Sequence, residues 1–415
     1  MAIANCHCED PQRGIIMGMQ ELVFWASFAF VIYVYIGYPL VLMAWKLLAA
    51  RPVRKTSGEP LVTLVVAASN DRAGIRRKIE NCLSLDYPLN RLEILVSLEG
   101  PTDGTEILMF KFAGQGVHLV YTPDHIGKAT AINRAVEKAS GDILVFVDAG
   151  HTLDRSAIRD LTANFGDPDV GAAFGELAQD GLGLYWRYEK FICTRESAIH
   201  SAIGVTGAVY AVRKSLFRKL AEETILDDVA TSMVCLLAGR RVVFDSTARA
   251  FDQTVSSPEL EYRRKIQTSS GNFQLLADMP DLLLPWSNPV FLQFFSHKVA
   301  RLFVPYALMM LAASNMLLLR GGYLAFFAFQ AAWYGAAILG GIASRTQKQA
   351  AGMVSRHWRP VMKQIALIPY TFLLLNWVAV VGLFHFLQDS RDSVSKGKKT
   401  PGTETAIESF RRPAA

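Results

Sequence analysis

Six acidic residues, Asp71, Glu99, Asp103, Asp148 and the adjacent Asp227-Asp228, recur where short β-rich runs end or a helical stretch begins. Carboxylates placed this way can hold a base or ribose, hold a divalent cation against a diphosphate, or take the proton from an attacking hydroxyl. Any one of them alone is equally at home as a helix cap or turn residue, so it is their serial recurrence that points to a shared site. His151 follows Asp148 by three positions and can lend a ring nitrogen to a metal or simply hydrogen-bond at a turn. Arg263 and Arg264 can pair with a diphosphate or with anionic lipid headgroups, and the sequence does not choose between them. Tyr185, Trp186 and Tyr188 share a helical stretch with Glu189 and Glu196. Such aromatics can stack on sugar faces, but more commonly pack, and the two glutamates are expected to face a cleft or solvent.

For distant carboxylates to meet, the chain must bring strand ends to one rim. From Pro60 to about Phe251, apolar β-rich runs alternate with amphipathic stretches, the pattern of an α/β domain with a mostly parallel sheet. Strands are expected at Leu61–Ala68, Leu92–Leu98, Val117–Tyr121 and Asp142–Asp148, and helices at Arg72–Leu85, Gly104–Ala113 and Lys128–Ala139. Ligands in open sheets of this class bind outside the carboxyl ends of the strands, which is where the acidic residues fall.

The flanks have a different character. The chain is 51% hydrophobic with a mean hydropathy of +0.22, high for a soluble enzyme. Met17–Leu48 is long enough to cross a bilayer and too long for a cleavable signal, and Pro39 within it predicts a kink. Leu302–Leu319, Tyr323–Ala343 and Ile365–Leu387 predict three more spans within residues 302–387. Residues 288–301, with Phe291, Leu292, Phe294 and Phe295 against Gln293, Ser296, His297, Lys298 and Arg301, predict an amphipathic helix lying in the interface. Residues 1–16 and the basic 388–415 read as tails, the second disordered. The net charge of +6 and pI near 9.0 come from basic residues beside the apolar stretches, at Arg51, Arg54 and Lys55 and again at Arg345, Lys348, Arg356, Arg359 and Lys363. Positive-inside placement explains them, and no nucleic-acid surface is indicated. It puts residues 60–280 in the cytoplasm. One span before that domain and three after it would export the tail, whereas its own lysines and arginines ask for the cytoplasm. Five scattered cysteines argue against a disulfide framework, and Cys6-His7-Cys8 lacks the second pair a metal site needs.

Several segments together resemble glycosyltransferase family 2, of the GT-A fold, over Pro60–Leu276. Val62–Asp71 is similar to the family's opening strand and acidic turn, Glu99-Gly100-Pro101-Thr102-Asp103-Gly104-Thr105 to its DGSTDGT segment, and Gly127–Asn133 to its GKxxALN helix start. Thr206–Arg213 resembles the acceptor-side TGAxxAxR segment, and Ile225-Leu226-Asp227-Asp228 the acidic ED pair. The resemblance implies a nucleotide-sugar site at Ala68, Ser69, Asp71, Glu99, Lys128, Asp148 and Gly207, catalysis by Asp228 with Asp227, and Asp228 as the general base. Arg213, Arg263 and Arg264 would serve acceptor or diphosphate. Gly37-Tyr38-Pro39 and Ser296-His297-Lys298 look like membrane-bound bacterial members that build exported polysaccharides. That likeness implies inverting transfer from a UDP- or GDP-sugar to a glycan or lipid-linked acceptor at the bacterial inner membrane.

Two departures bear on the chemistry. Asp148-Ala149-Gly150 stands where the family has Asp-x-Asp, so a Mg2+ or Mn2+ would rest on Asp148 with His151, diphosphate and water. The QxxRW segment of processive members is replaced by Glu261–Gln267 and Gly271-Asn272-Phe273-Gln274, without tryptophan. Alternative functions consistent with these departures are a catalytically degenerate scaffold or donor-binding subunit in a polysaccharide-export complex, and a polyprenyl-phosphate sugar transferase.

Overall fold

The runs richest in valine, leucine and isoleucine are strands buried on both faces. They do not alternate in and out, as befits sheet strands covered by helices on either side. A computed structural model describes residues 11–112, 114–178, 184–204, 207–252, 258–349 and 360–395. Cys6-His7-Cys8, Thr206, Arg356, Arg359 and the tail beyond Ser395 lie outside the described residues.

After two helices, α1 (Pro11–Ile32) and α2 (Tyr38–Ala49), the α/β domain opens with β1 (Val62–Ala68), α3 (Arg72–Leu83), β2 (Leu92–Glu99), α4 (Thr105–Met109), β3 (Val117–Thr122), α5 (Lys128–Lys138) and β4 (Ile143–Asp148). It continues through β5 (His151–Leu153), α6 (Ala157–Ala163), β6 (Val170–Ala178), α7 (Leu184–Ile199), β7 (Val209–Arg213), α8 (Asp227–Leu237), β8 (Arg241–Asp252) and α9 (Pro258–Asp278). Then come α10 (Phe291–Phe294), α11 (Ala300–Leu317), α12 (Gly321–Gln349) and α13 (Pro360–Ser395).

Among the described residues the strands form one sheet in the order β3-β2-β1-β4-β7-β6-β8-β5. The half expected from the sequence, β3-β2-β1-β4, is wholly parallel. β7 then runs antiparallel to β4 and β6, and β5 antiparallel to β8, so the sheet is mixed. Parallel register pairs Ala67 with Asp148 and Ala68 with Leu98, which puts Ala68, Glu99 and Asp148 on one rim. Antiparallel β7 starts at that rim with Val209 opposite Val147 and finishes at the far end with Arg213 opposite Ile143.

By packing, the chain divides into two units. One takes the chain up to Tyr38 and Val299–Val381; the other takes Pro39–Lys298 and the chain from Gly382. In the first unit Phe24 packs with Leu311 and Leu318, and Val34 with Ala300 and Val304. Four helices among the described residues are long and apolar enough to cross a membrane: Gly18–Ala49, Phe291–Leu317, Gly321–Ile342 and Ile368–Arg391. The expected kink at Pro39 takes the form of a π-turn at Tyr33–Gly37, with the Tyr38 N–H bonded to the Tyr33 carbonyl. Pro39 offers no N–H to the carbonyl of Tyr35, and widening the turn by one residue absorbs that loss.

The structure redraws three expected boundaries. Helix α1 begins at Pro11, inside the expected 1–16 tail, and α13 runs to Ser395, past the expected end at Leu387. Residues 288–301 do not form a separate surface helix: α10, a π-turn at Phe295–Val299 and α11 are continuous, and Gln293, Ser296 and His297 are buried. Their polar pattern serves protein contacts. Gln293 donates to the carbonyls of Glu196 and Ser201, and His297 sits between Glu196 (Nδ1 to Oε1, 2.9 Å) and Glu189 (Nε2 to Oε2, 3.0 Å). Glu196, expected at a cleft or in solvent, is thus wholly buried.

Candidate active site

The site assembles on the rim where β1, β2 and β4 end. Asp148 is the last residue of β4, and Lys128 opens α5, whose amphipathic sequence buries Ala129, Ile132 and Val136 against β1 and β2. Asp227 and Asp228 open α8, where the helix N-terminus favours negative charge. The Lys128 ammonium bridges Asp148 Oδ1 at 2.9 Å and Asp227 Oδ1 at 3.0 Å, and the Tyr210 hydroxyl donates to Asp227 Oδ2 at 3.1 Å. Asp228 Oδ1 accepts from the Val229 N–H at 2.8 Å. Its Oδ2 faces Gly207: a methyl group placed on that glycine would stand 3.1 Å from Asp228 Oδ2 and 3.7 Å from Asp148 Oδ2. Glycine is what leaves space between these two carboxylates.

Electrostatics separate the acidic pair. Burial first, and then the neighbouring Asp227 charge, push the Asp228 carboxyl from an ordinary 3.8 up to about 7, against the opposing pull of Lys128. Lys128 loses hydration, but Asp148 and Asp227 outweigh that and hold its ammonium well above the usual lysine range. Its side chain stays 47% exposed, so the bridge stands at the mouth of the site and is reachable by a ligand. The buried carboxyl with a near-neutral pKa is suited to accept a proton, and the exposed ammonium to meet phosphate oxygens.

His151 opens β5 with Nδ1 3.7 Å from Asp148 Oδ2; that nitrogen is buried and has no hydrogen-bond partner among the described residues. Burial pushes the imidazole below 6.5 despite the Asp148 charge, which keeps it neutral and able to coordinate. A carboxylate oxygen and an orphaned ring nitrogen facing each other fit a divalent cation. The buried Lys78 fixes the histidine backbone from beneath, donating to the His151 carbonyl at 2.6 Å. Among the described residues no group of three or more His, Cys, Asp or Glu side chains is gathered for a metal, so diphosphate or water would complete the shell.

Other expected site residues lie near this centre in supporting positions. Glu99 is buried and accepts from the Ile126 and Gly127 N–H groups at 2.9 and 2.6 Å, fixing the turn that presents Lys128. Asp71 caps α3 through Gly74 N at 2.8 Å, and Asp103 ties the turn after β2 to α3 through Arg72 N at 3.0 Å. Ala68 and Ser69 lie half-buried at the end of β1. Arg263 and Arg264 are exposed on the first turns of α9, and the Arg264 charge reaches His151. Lys265 lies over the Tyr185 ring at 5.9 Å, which gives that aromatic a cationic partner.

Arg213 is placed elsewhere. It ends β7 at the opposite edge, where its guanidinium donates to the carbonyls of Val170, Phe165 and Asp167 at 2.8, 2.8 and 3.0 Å. Antiparallel β7 carries its two ends to opposite rims, so Gly207 and Arg213 of one motif cannot share a site. Arg213→Ala is therefore expected to cost about 1–3 kcal/mol of stability by stranding those acceptors, with nucleotide affinity unchanged; denaturant unfolding beside nucleotide titration checks both. Residues the sequence left without a role include Tyr210, Lys78, Asn133 and Gln274. Tyr210, Asn133 and Gln274 stood inside quoted motifs, and only the fold shows what they touch.

Against known proteins, the model for "Glycosyl transferase family 2" matches residues 63–232. An N-acetylglucosaminyltransferase of Rhizobium meliloti (strain 1021) is 27% identical over 199 residues, 45% of this chain and 45% of that protein. The poly-beta-1,6-N-acetyl-D-glucosamine synthase of Staphylococcus aureus (strain COL) is 24% identical over 262 residues, 59% of this chain and 62% of that protein. The chain thus spans about half the length of the curated relatives it matches. A mannosyltransferase from Pyrobaculum calidifontis, solved with GDP-Man and Mn2+, superposes with a TM-score of 0.70 at 20% identity, over 89% of this chain and 99% of that one. That superposition shows a shared GT-A fold.

Proposed function

We propose, proceeding from a chain that belongs to glycosyl transferase family 2 through residues 63–232, that it transfers a sugar with inversion from a UDP- or GDP-sugar to a hydroxyl of a growing exopolysaccharide or glycolipid. The observation that carries this is the convergence of Lys128, Asp148, Asp227 and Asp228 at one rim, with the Asp228 carboxyl buried and its Oδ2 toward the gap at Gly207. Lys128 meets the diphosphate. Asp228 takes the acceptor proton as its oxygen attacks the anomeric carbon, and the nucleoside diphosphate leaves on the opposite side. Asp227, held by Lys128 and Tyr210, raises the proton affinity of Asp228. Purified full-length protein in detergent, given a panel of sugar nucleotides with and without glycan acceptors, is expected to release nucleoside diphosphate with one of them. No turnover with any donor by folded protein would leave a donor-binding scaffold as the better description.

Asp148 and His151 would hold a divalent cation, Mg2+ or Mn2+, which when bound neutralises diphosphate charge. His151→Ala is expected to weaken Mn2+ binding about tenfold, by analogy with loss of a ligand's support, and to remove a nitrogen coupling from the bound Mn2+ magnetic-resonance signal. An unchanged spectrum would remove His151 from the metal site.

The same reading puts the chain in the bacterial inner membrane with the catalytic domain cytoplasmic. Its support is the four apolar helices and the basic residues after the first of them. The last turns of α13 belong with the catalytic unit, where Phe386 stacks on Phe273 of α9 at 6.4 Å. The lysines and arginines of the tail ask for that same cytoplasmic side. A single cysteine at exposed Gln388 is expected to resist a membrane-impermeant maleimide in intact cells and to react after lysis; labelling of intact cells would refute this orientation.

A further inference from the structure

The segment that leads into Asp227-Asp228 is held at both ends by a buried carboxamide. Asn133, on the inner face of α5, accepts from the Leu220 N–H at 2.9 Å and donates to the Leu220 carbonyl at 2.8 Å. Gln274, on α9, accepts from the Ile225 N–H at 3.0 Å and donates to the Glu223 carbonyl at 2.9 Å. Both side chains are at most 7% exposed. Between the two anchors the chain makes a turn, Thr224 N–H to Ala221 carbonyl, and goes straight into α8. α9 also lies flush against the segment: a methyl group on Gly271 would stand 2.6 Å from Leu226 Cγ.

We propose that Asn133 and Gln274 are positioning residues for the Asp228 base, fixing residues 220–226 between the helix that carries Lys128 and the helix that carries Arg263 and Arg264. This rests on the reading of Asp228 as the base. A carboxamide is the side chain suited to the task, since it offers one acceptor and two donors in a plane and so can grip an N–H and a C=O of the same strand of backbone at once. Buried, such a grip is costly to break, because the freed peptide groups find no water. The two anchors tie one loop to α5 and α9, so displacement of either helix is felt at Asp228.

The test combines rates and amide exchange on the full-length protein. Gln274→Ala is expected to lower kcat roughly tenfold, the order set by one lost buried grip, with donor KM nearly unchanged. On an Asp228→Asn background the same substitution is expected to lower kcat by less than about twofold, since groups acting as a unit are not additive. Amides 223–229 should exchange faster, while those of β1 and β4 do not change. Gln274→Glu, which keeps the acceptor for Ile225, and Asn133→Asp are expected to show smaller losses of the same pattern, and they carry the test if Gln274→Ala does not fold. The proposal is overturned if the kcat loss persists at full size with Asp228→Asn, or if exchange at 223–229 is unaltered. If the unsubstituted protein transfers no sugar from any donor, the base assignment falls with the positioning role; faster exchange with undiminished transfer overturns the positioning role alone.

Discussion

Sugar transfer by the Asp228→Asn protein is expected to fall about 10²–10⁴-fold, the usual contribution of a positioned general base, while nucleotide binding is retained. The amide keeps the shape of the carboxylate and can still accept from the Val229 N–H, so the start of α8 is preserved. What it cannot do is take a proton. In the unsubstituted protein the rate should rise as Asp228 deprotonates, through about pH 7 for the ligand-free pair, and that limb should vanish in the variant. Stability moves the opposite way. The folded state raises this carboxyl above its ordinary 3.8, so the stabilisation from its proton is complete below that value and is lost as pH rises through about 7. Pre-steady-state transfer rates and chemical denaturation across pH 5–9 would check both limbs; a variant retaining the wild-type rate and profile would relieve Asp228 of its role.

Lys128→Ala should be nearly as damaging, for a different reason. The ammonium is the cation that the described structure places between Asp148 and Asp227, and it also pulls the Asp228 carboxyl downward. Without it, Asp148 and Asp227 lose their shared counter-charge, and the neutral form of Asp228 is favoured further. Donor affinity is expected to drop roughly 10–100-fold, the range for a lost hydrogen bond to a charged group, and the rising limb of the pH profile should move to higher pH. Lys128→Arg restores charge and should recover part of the affinity, though not the compact bridge, because a guanidinium is a planar fork. Titration calorimetry with UDP and GDP measures the effect; equal affinity of the alanine variant for both nucleotides and the wild type would refute it.

The parallel half of the sheet was legible because its strands are short apolar runs separated by turn residues, and Val62–Ala68, Leu92–Glu99, Val117–Thr122 and Ile143–Asp148 fall within a residue or so of expectation. Asp148 was expected at the rim of strand ends for the same reason, whereas Lys128 was named through the motif resemblance and Asp227-Asp228 as the start of a helix. The antiparallel insertion of β7 was not, and with it went Arg213, since strand direction depends on partners far away in sequence. Asp71 shows a second limit. Its spacing from Gly74 suits a cap as well as a ligand, and the structure uses it as the cap. Residues 288–301 show a third, because an amphipathic pattern records only that one face is polar. Whether that polarity meets lipid headgroups or, as here, the carboxylates of Glu189 and Glu196 is decided by tertiary packing.

The fittings around the base have one property in common that bears on how the molecule answers acid and alkali. Asn133 and Gln274 carry no titrating proton. Tyr210 is driven well above 10.0 by burial, and Lys128 is kept protonated by its carboxylate neighbours. His151 has already given up its proton below 6.5. Near neutrality, then, these five side chains keep a constant charge while Asp228 switches, so none of them adds a second proton to its step.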